Sequence, residues 1–162
     1  MTAQGEDLLA WLDRAITARE NVAREACDGG EGRWHNGWCP EGDLEEGETD
    51  SGCGVSDERD RTVVYDEGRP NKAQSVHIAA NDPASVLRCC VADRKLLTLH
   101  SPVILHVGGG AKYFETTKVC KSCEPPIQFP ETSYPCPTIV ALAEGYGWTA
   151  GQTPPTEGDQ VT

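Results

Sequence analysis

VCKSCEPPIQFPETSYPCPT, residues 119–138, carries three cysteines, Cys120, Cys123 and Cys136, in a Cys-x2-Cys-x12-Cys spacing. A Cys-x2-Cys turn is the smallest loop that delivers two sulfurs to one ion, and Zn2+ takes four thiolate or imidazole ligands at tetrahedral geometry. The stretch therefore predicts a metal site that is one ligand short. Cys136 stands directly before Pro137, and proline suits the first position of a helix, where its missing N–H costs nothing. A cysteine at that cap meets the positive end of the helix dipole, which favours the thiolate and so favours ligation.

For the fourth ligand the chain offers His77, His100 and His106, and the cysteines Cys27, Cys39 and Cys53. Asn81-Asp82-Pro83 reads as a helix start, with Asp82 accepting from free backbone N–H groups and Pro83 at the first helical position. The helix continues through Val86, Leu87, Cys90, Val91, Leu96, Leu97 and Leu99 to about His100, and Ser101-Pro102 ends it. His77 and His100 thus flank one helix and stand about 27 Å apart at a rise of ~1.5 Å per residue, too far to share an ion. His100 lies at the end from which the chain proceeds to Cys120. The expected set is His100, Cys120, Cys123 and Cys136 around a structural Zn2+, with His106 and His77 as alternatives.

Other chemistry for these cysteines stays open. Cys120 and Cys123 match a redox pair in spacing, but Glu124-Pro125-Pro126 forbids the helix that a thioredoxin-like site needs next. Three unrelated buried cysteines, or an iron–sulfur cluster recruiting Cys27, Cys39 or Cys53, are the further alternatives. A hydrolytic zinc requires an open coordination position and a carboxylate base, for which Glu115, Glu124 and Glu131 are the candidates. A deaminase-like site is excluded by pattern, because no His-x-Glu precedes the Cys-x2-Cys.

Composition explains why such a chain would want a staple. Gly and Pro number 17 and 11 in 162 residues, and only 38% of residues are hydrophobic. One small domain over residues 1–148 is expected, with much loop. The net charge of −12 is concentrated: Glu25 to Asp60 holds twelve acids against Arg33 and Arg59. This acidic, Gly-rich segment 27–60 reads as a solvated loop, or as a surface that docks on a basic partner or imitates nucleic acid. Trp34 and Trp38 are its expected anchors. Arg88, Arg94, Lys95, Lys112, Lys118 and Lys121 make the metal end mildly basic.

Three principal helices are expected in a mainly α chain, a small α+β arrangement being the variant. The first spans 6–26, with Leu8, Leu12, Ala15, Ile16, Val22 and Ala23 on its apolar face and Gly29-Gly30 as its stop. The second is the helix after Asp82, in which Cys90 reads as a small core residue and Cys89 as incidental. The third follows Cys136. Arg61 to Tyr65 reads as a brief strand, with Val55 or the Trp34 region as pairing partner. Gly108-Gly-Gly110 reads as a turn between two extended pieces, since no Gly-Lys-Ser/Thr follows it for a phosphate loop. Residues 149–162 read as a disordered tail. No signal peptide or bilayer-spanning run is apparent in the sequence, which predicts a soluble, cytoplasmic protein with reduced thiols.

The segments His77–Leu87, Arg94–His100, Cys120-x2-Cys123 and Tyr134–Gly147 together resemble a family of small uncharacterised proteins of actinobacteria and their phages. Its marks are an N-terminal helix followed by a tryptophan, a His-Ile-Ala-x-x-Asp-Pro helix start and a late Pro-Cys-x-Thr segment. His77, Asp82, Pro83, His100, Cys120, Cys123, Pro135, Cys136 and Thr138 carry the match. Cys89-Cys90 and the long acidic insert depart from it. The resemblance implies origin and organisation and brings no activity.

The expectation for function is a non-enzymatic, zinc-stabilised interaction or regulatory protein that binds a host or phage protein. A nucleic-acid-associated zinc protein and a metal-dependent hydrolase are the alternatives. The sequence leaves the oligomeric state open.

Overall fold

The structure, a computed structural model, describes residues 4–37, 53–64, 70–107, 115–123 and 134–149. Trp38, Cys39, Gly108 to Gly110, Lys112, Glu124, Glu131 and the expected tail beyond Thr149 lie outside the described residues. The architecture is a small α+β arrangement. In chain order it runs α1 (Gln4–Ala26), β1 (Trp34–Asn36), β2 (Val55–Asp57), β3 (Thr62–Val64), α2 (Lys72–Ala80), α3 (Pro83–Leu99), β4 (Pro102–Val107), β5 (Glu115–Cys120) and α4 (Pro137–Gly145). Four helices are therefore described where three were expected. No helix among the described residues is long and apolar enough to cross a membrane.

The chain groups into two compact units, Met1–Thr17 with Val91–Thr162, and Ala18–Cys90. In the first unit, Leu8, Leu12 and Ile16 recur every four residues on α1 and are buried, as helical periodicity requires. Val119, Cys120, Tyr134, Cys136, Ile139 and Ala143 complete the buried apolar set among the described residues of that unit. Each fully buried Leu or Ile contributes roughly 1.5–3 kcal/mol of transfer free energy. Arg94 donates to the Asp13 carboxylate at 2.6 Å and to the Thr17 hydroxyl at 2.8 Å, so α3 is fastened to α1 within this unit. The Tyr146 hydroxyl, just past α4, donates to Asp93 on α3 at 2.6 Å. Strands β4 and β5 pair antiparallel from Pro102 opposite Cys120 to Val107 opposite Glu115.

In the second unit the apolar face expected of α1 needs correction at one position. Val22 is 67% exposed, whereas Glu20 and Ala23 are buried. The inward stripe follows 12, 16, 20 and 23, and Val22 falls outside it. Helix α1 ends in a left-handed turn at Asp28 and Gly29. Gly32, also at positive φ, accepts a hydrogen bond from the Ala84 N–H at its carbonyl. A Cβ there would stand 2.5 Å from the Cys27 sulfur, so only glycine lets the two segments meet.

The expected strand near Arg61 is β3, and of the two proposed pairing regions the one at Val55 is its partner: β2 pairs antiparallel with β3, Val55 opposite Val64, while the Trp34 strand β1 pairs with the other edge of β2, Trp34 opposite Asp57. The anchors of this region are carboxylates. Glu58 accepts from the N–H groups of Glu31 and Arg33, Asp57 accepts from those of Arg59 and Arg61, and Asp82 accepts from that of Trp34. Arg61 bridges Asp57 and Asp28, each at 2.7 Å. Part of the acidic segment thus satisfies backbone donors of its own unit. The thiol expectation also changes, because Cys53 is disulfide-bonded and so is no ligand candidate.

Helix α2 holds His77, which the sequence pattern placed ahead of the helical region. Its start is an Asn71/Gln74 capping box, with the Asn71 side chain accepting from Gln74 N–H and the Gln74 side chain from Asn71 N–H. The buried Ser75 hydroxyl donates to the Gly54 carbonyl, fixing α2 on the end of β2. Asp82 caps α3 as expected, accepting from Ser85 N–H at 2.6 Å. Burial works against its carboxylate, but the Ser85 hydroxyl and N–H, the Trp34 N–H and the Arg88 charge outweigh it and hold it below the usual range.

Candidate metal centre

Four candidate ligands come together from three places in the chain. His100 is the residue after α3, and its N–H still closes a helical bond to the Leu96 carbonyl at 2.9 Å. Two residues later β4 begins with Pro102 opposite Cys120 on β5, so the hairpin register returns the chain to His100. Lys121 N–H adds one more rung to the Ser101 carbonyl, and the Ser122 hydroxyl donates to the Leu99 carbonyl. The turn 121–123 then presents Cys123 on the same side as Cys120. Tyr134 N–H donates to the Lys118 carbonyl at 3.0 Å, which lays the segment before α4 against β5. Cys136 is the N-cap of α4, with Pro137 in the first turn, and its side chain makes no capping hydrogen bond. The sulfur is left free to face the other ligands.

His100 Nδ1 lies 3.4 Å from the Cys120 sulfur, 3.3 Å from that of Cys123 and 3.7 Å from that of Cys136. All four ligand atoms fall within 4.8 Å of one another. An ion bonded tetrahedrally at about 2.3 Å to sulfur and about 2.0 Å to nitrogen needs nitrogen-to-sulfur edges of about 3.5 Å. The three distances bracket that value, and three thiols with one imidazole are the donor chemistry such an ion takes. The residues fit a metal.

The electrostatics point the same way. Burial opposes the Cys120 thiolate, yet the N–H groups of Ser122 and Cys123, with His100 and Cys136, outweigh it and bring the thiol down to about 7. Cys123, an exposed residue, moves oppositely, up to about 11, through partial desolvation of its sulfur and the neighbouring Cys120 and Cys136. Three sulfurs this close cannot all ionise without a cation among them. Tyr134 is buried beside the cluster, and burial with the Cys136 and Cys120 charges pushes its hydroxyl up to about 12. Its oxygen has no hydrogen-bond partner among the described residues.

His100, Cys120, Cys123 and Cys136, the four residues expected from spacing, are the ones the fold gathers. His77, on α2, stands outside the group, as does the free thiol of Cys27. His106 lies on β4, and its side chain and that of Glu115 are outside the described residues. Among the described residues no carboxylate joins the cluster. Sequence spacing did not indicate Tyr134 or Ser122 as neighbours of the centre. Tyr134-Pro135-Cys136 places the former next to a ligand, but only the hairpin register turns it inward.

No curated protein and no solved structure matches the chain. A family model does match, over residues 5–147, and so spans every element from α1 to α4. By that match the chain belongs to a family of unknown function, DUF6221.

Proposed function

We propose that the chain is a small zinc protein whose ion is structural, and that it acts by binding a protein partner, not by catalysis. The observation that carries this is the ligand count: three sulfurs and one imidazole nitrogen, all within 4.8 Å, fill a tetrahedron. A catalytic zinc keeps one position for water or substrate, whereas a structural one is closed by protein ligands. The ligands come from the end of α3, the β5 turn and the cap of α4, so one ion joins three elements of a loop-rich chain.

For the partner, the acidic segment 27–60 remains the surface of choice, in a chain of accessory or phage origin that works in the host cytoplasm. Within that segment Asp57 and Glu58 accept backbone donors of their own unit, and the contact with a basic protein is assigned to the acids from Glu41 to Asp50 on sequence grounds. Nucleic-acid binding is the weaker alternative. Of the bases it would use, Arg94 is held by Asp13 and Thr17, and Arg88 by the Ser85 hydroxyl.

Capture from host extract with the intact protein, beside a version lacking residues 28–58, tests the partner. Loss of specific protein partners on deletion is the expected result. Retention of the same partners, or salt-sensitive recovery of DNA, would contradict it.

A further inference from the structure

The four ligands of the centre are not equally sheltered. Cys120 and Cys136 are 3% and 2% exposed and His100 is half-buried, but Cys123 stands at the tip of the turn in solvent. A small oxidant therefore reaches one sulfur of the cluster first. That sulfur is held as a thiolate once an ion is bound, and the thiolate is the form that attacks peroxides. Cys89 is also an exposed thiol, but it lies on α3 outside the cluster.

We propose that Cys123 is an oxidative modification site, through which a hydroperoxide opens the metal centre and forms a Cys120–Cys123 disulfide. This rests on the closed metal centre described above. The Cys123 thiolate attacks the outer peroxide oxygen, the O–O bond breaks, and the products are a sulfenic acid on Cys123 and an alkoxide or hydroxide, which takes a proton from solvent to leave as the alcohol or water. The Cys120 thiolate then attacks the Cys123 sulfur, an S–S bond forms, and the S–O bond breaks to release hydroxide, which takes a proton. Two sulfurs supply the two electrons that reduce the peroxide. The turn 121–123 already brings the Cys120 and Cys123 sulfurs within 4.8 Å of each other, so a short closing movement joins them at the ~2.0 Å of an S–S bond. The chain then offers the ion only His100 and Cys136, and the tie between the β5 turn and the other two elements is released.

The test uses the full chain, reduced, loaded with zinc and freed of excess reductant, then exposed to hydrogen peroxide. Released zinc is read with a chromogenic chelator, and the cysteines are mapped by alkylation and peptide mass spectrometry. The expected result is one zinc released per chain, in step with a Cys120–Cys123 linked peptide, while Cys89 is still reduced. Zinc retained while Cys89 oxidises, or a disulfide that leaves Cys123 free, would overturn the proposal and leave the metal centre standing. Failure of the reduced chain to take up zinc at all would instead remove the metal centre. A Cys123→His variant keeps four ligands without the exposed sulfur, and its peroxide-driven release should slow by at least about tenfold. An unchanged rate would place the entry point elsewhere, and the map of the unsubstituted chain decides whether or not this variant holds the ion.

Discussion

Pro102 and Cys120 face each other across the β4–β5 pair, and this register returns the chain to within 3.4 Å of His100 Nδ1. The candidate centre is therefore built by a hairpin that begins two residues after His100 and ends on Cys120. Shifting that register by one residue would turn Cys120 to the opposite face of the ribbon and dismantle the site.

Cys136→Ser should abolish stoichiometric metal uptake, because a neutral hydroxyl replaces a thiolate at the cap of α4. The same change is mild for the helix itself, since serine is a good N-cap and Cys136 makes no capping bond. Metal content and thermal melting separate the two effects: metal should fall below one per chain, and Tm should drop to that of chelator-treated unsubstituted protein.

Asp82→Ala should cost about 1–2 kcal/mol, since the residue caps α3 and also accepts from Trp34 N–H. The folded carboxyl sits below its ordinary range, so its proton is bound more weakly in the folded chain than in the unfolded one. Its contribution is then complete above the unfolded value of about 3.9 and is lost as pH falls through the lower folded value. Urea melts of the unsubstituted chain and Asp82→Ala should differ steadily from pH 7 to pH 5 and converge below about pH 4. A gap that persists at low pH would contradict the assignment.

Tyr134→Phe removes a buried hydroxyl without a partner among the described residues. Leaving such a group unsatisfied costs about 1–3 kcal/mol, so the variant should melt at the same temperature or higher. A clear loss of stability would show that the hydroxyl is satisfied after all.

Leu12→Ala should cost about 2–5 kcal/mol, because the side chain is fully buried. Val22→Lys should change stability by less than about 0.5 kcal/mol, as an exposed position allows. Chemical denaturation of both variants checks the face of α1 directly.

The cluster of His100, Cys120, Cys123 and Cys136 was legible because its signals are local or nearly so: Cys-x2-Cys is a single turn, Pro137 marks the cap beside Cys136, and His100 precedes a helix-ending Ser-Pro. The start of α3 at Asp82-Pro83 was legible for the same reason. Helix α2 was missed although Asn71 and Gln74 form a capping box, because Lys72–Ala80 buries only Ser75 and so has almost no apolar periodicity to detect. Val22 was misplaced because the buried stripe of α1 takes in Glu20, a polar residue that hydrophobic patterning skips. The anchoring of the acidic segment escaped for a related reason. Asp57 and Glu58 read as solvated charge, and only the strand pairing shows that they accept backbone donors up to 27 positions away. For Asp57, burial opposes the charge but the N–H groups of Arg61 and Arg59 and the Arg61 side chain outweigh it, leaving its carboxyl below the usual range.

Elemental analysis of the purified, reductant-treated protein, with X-ray absorption at the metal edge, tests the central claim most directly. One zinc per chain, bound by three sulfurs and one nitrogen, is the predicted result. Metal-free protein that still unfolds cooperatively at an unchanged temperature, or a bound water in place of one ligand, would contradict it.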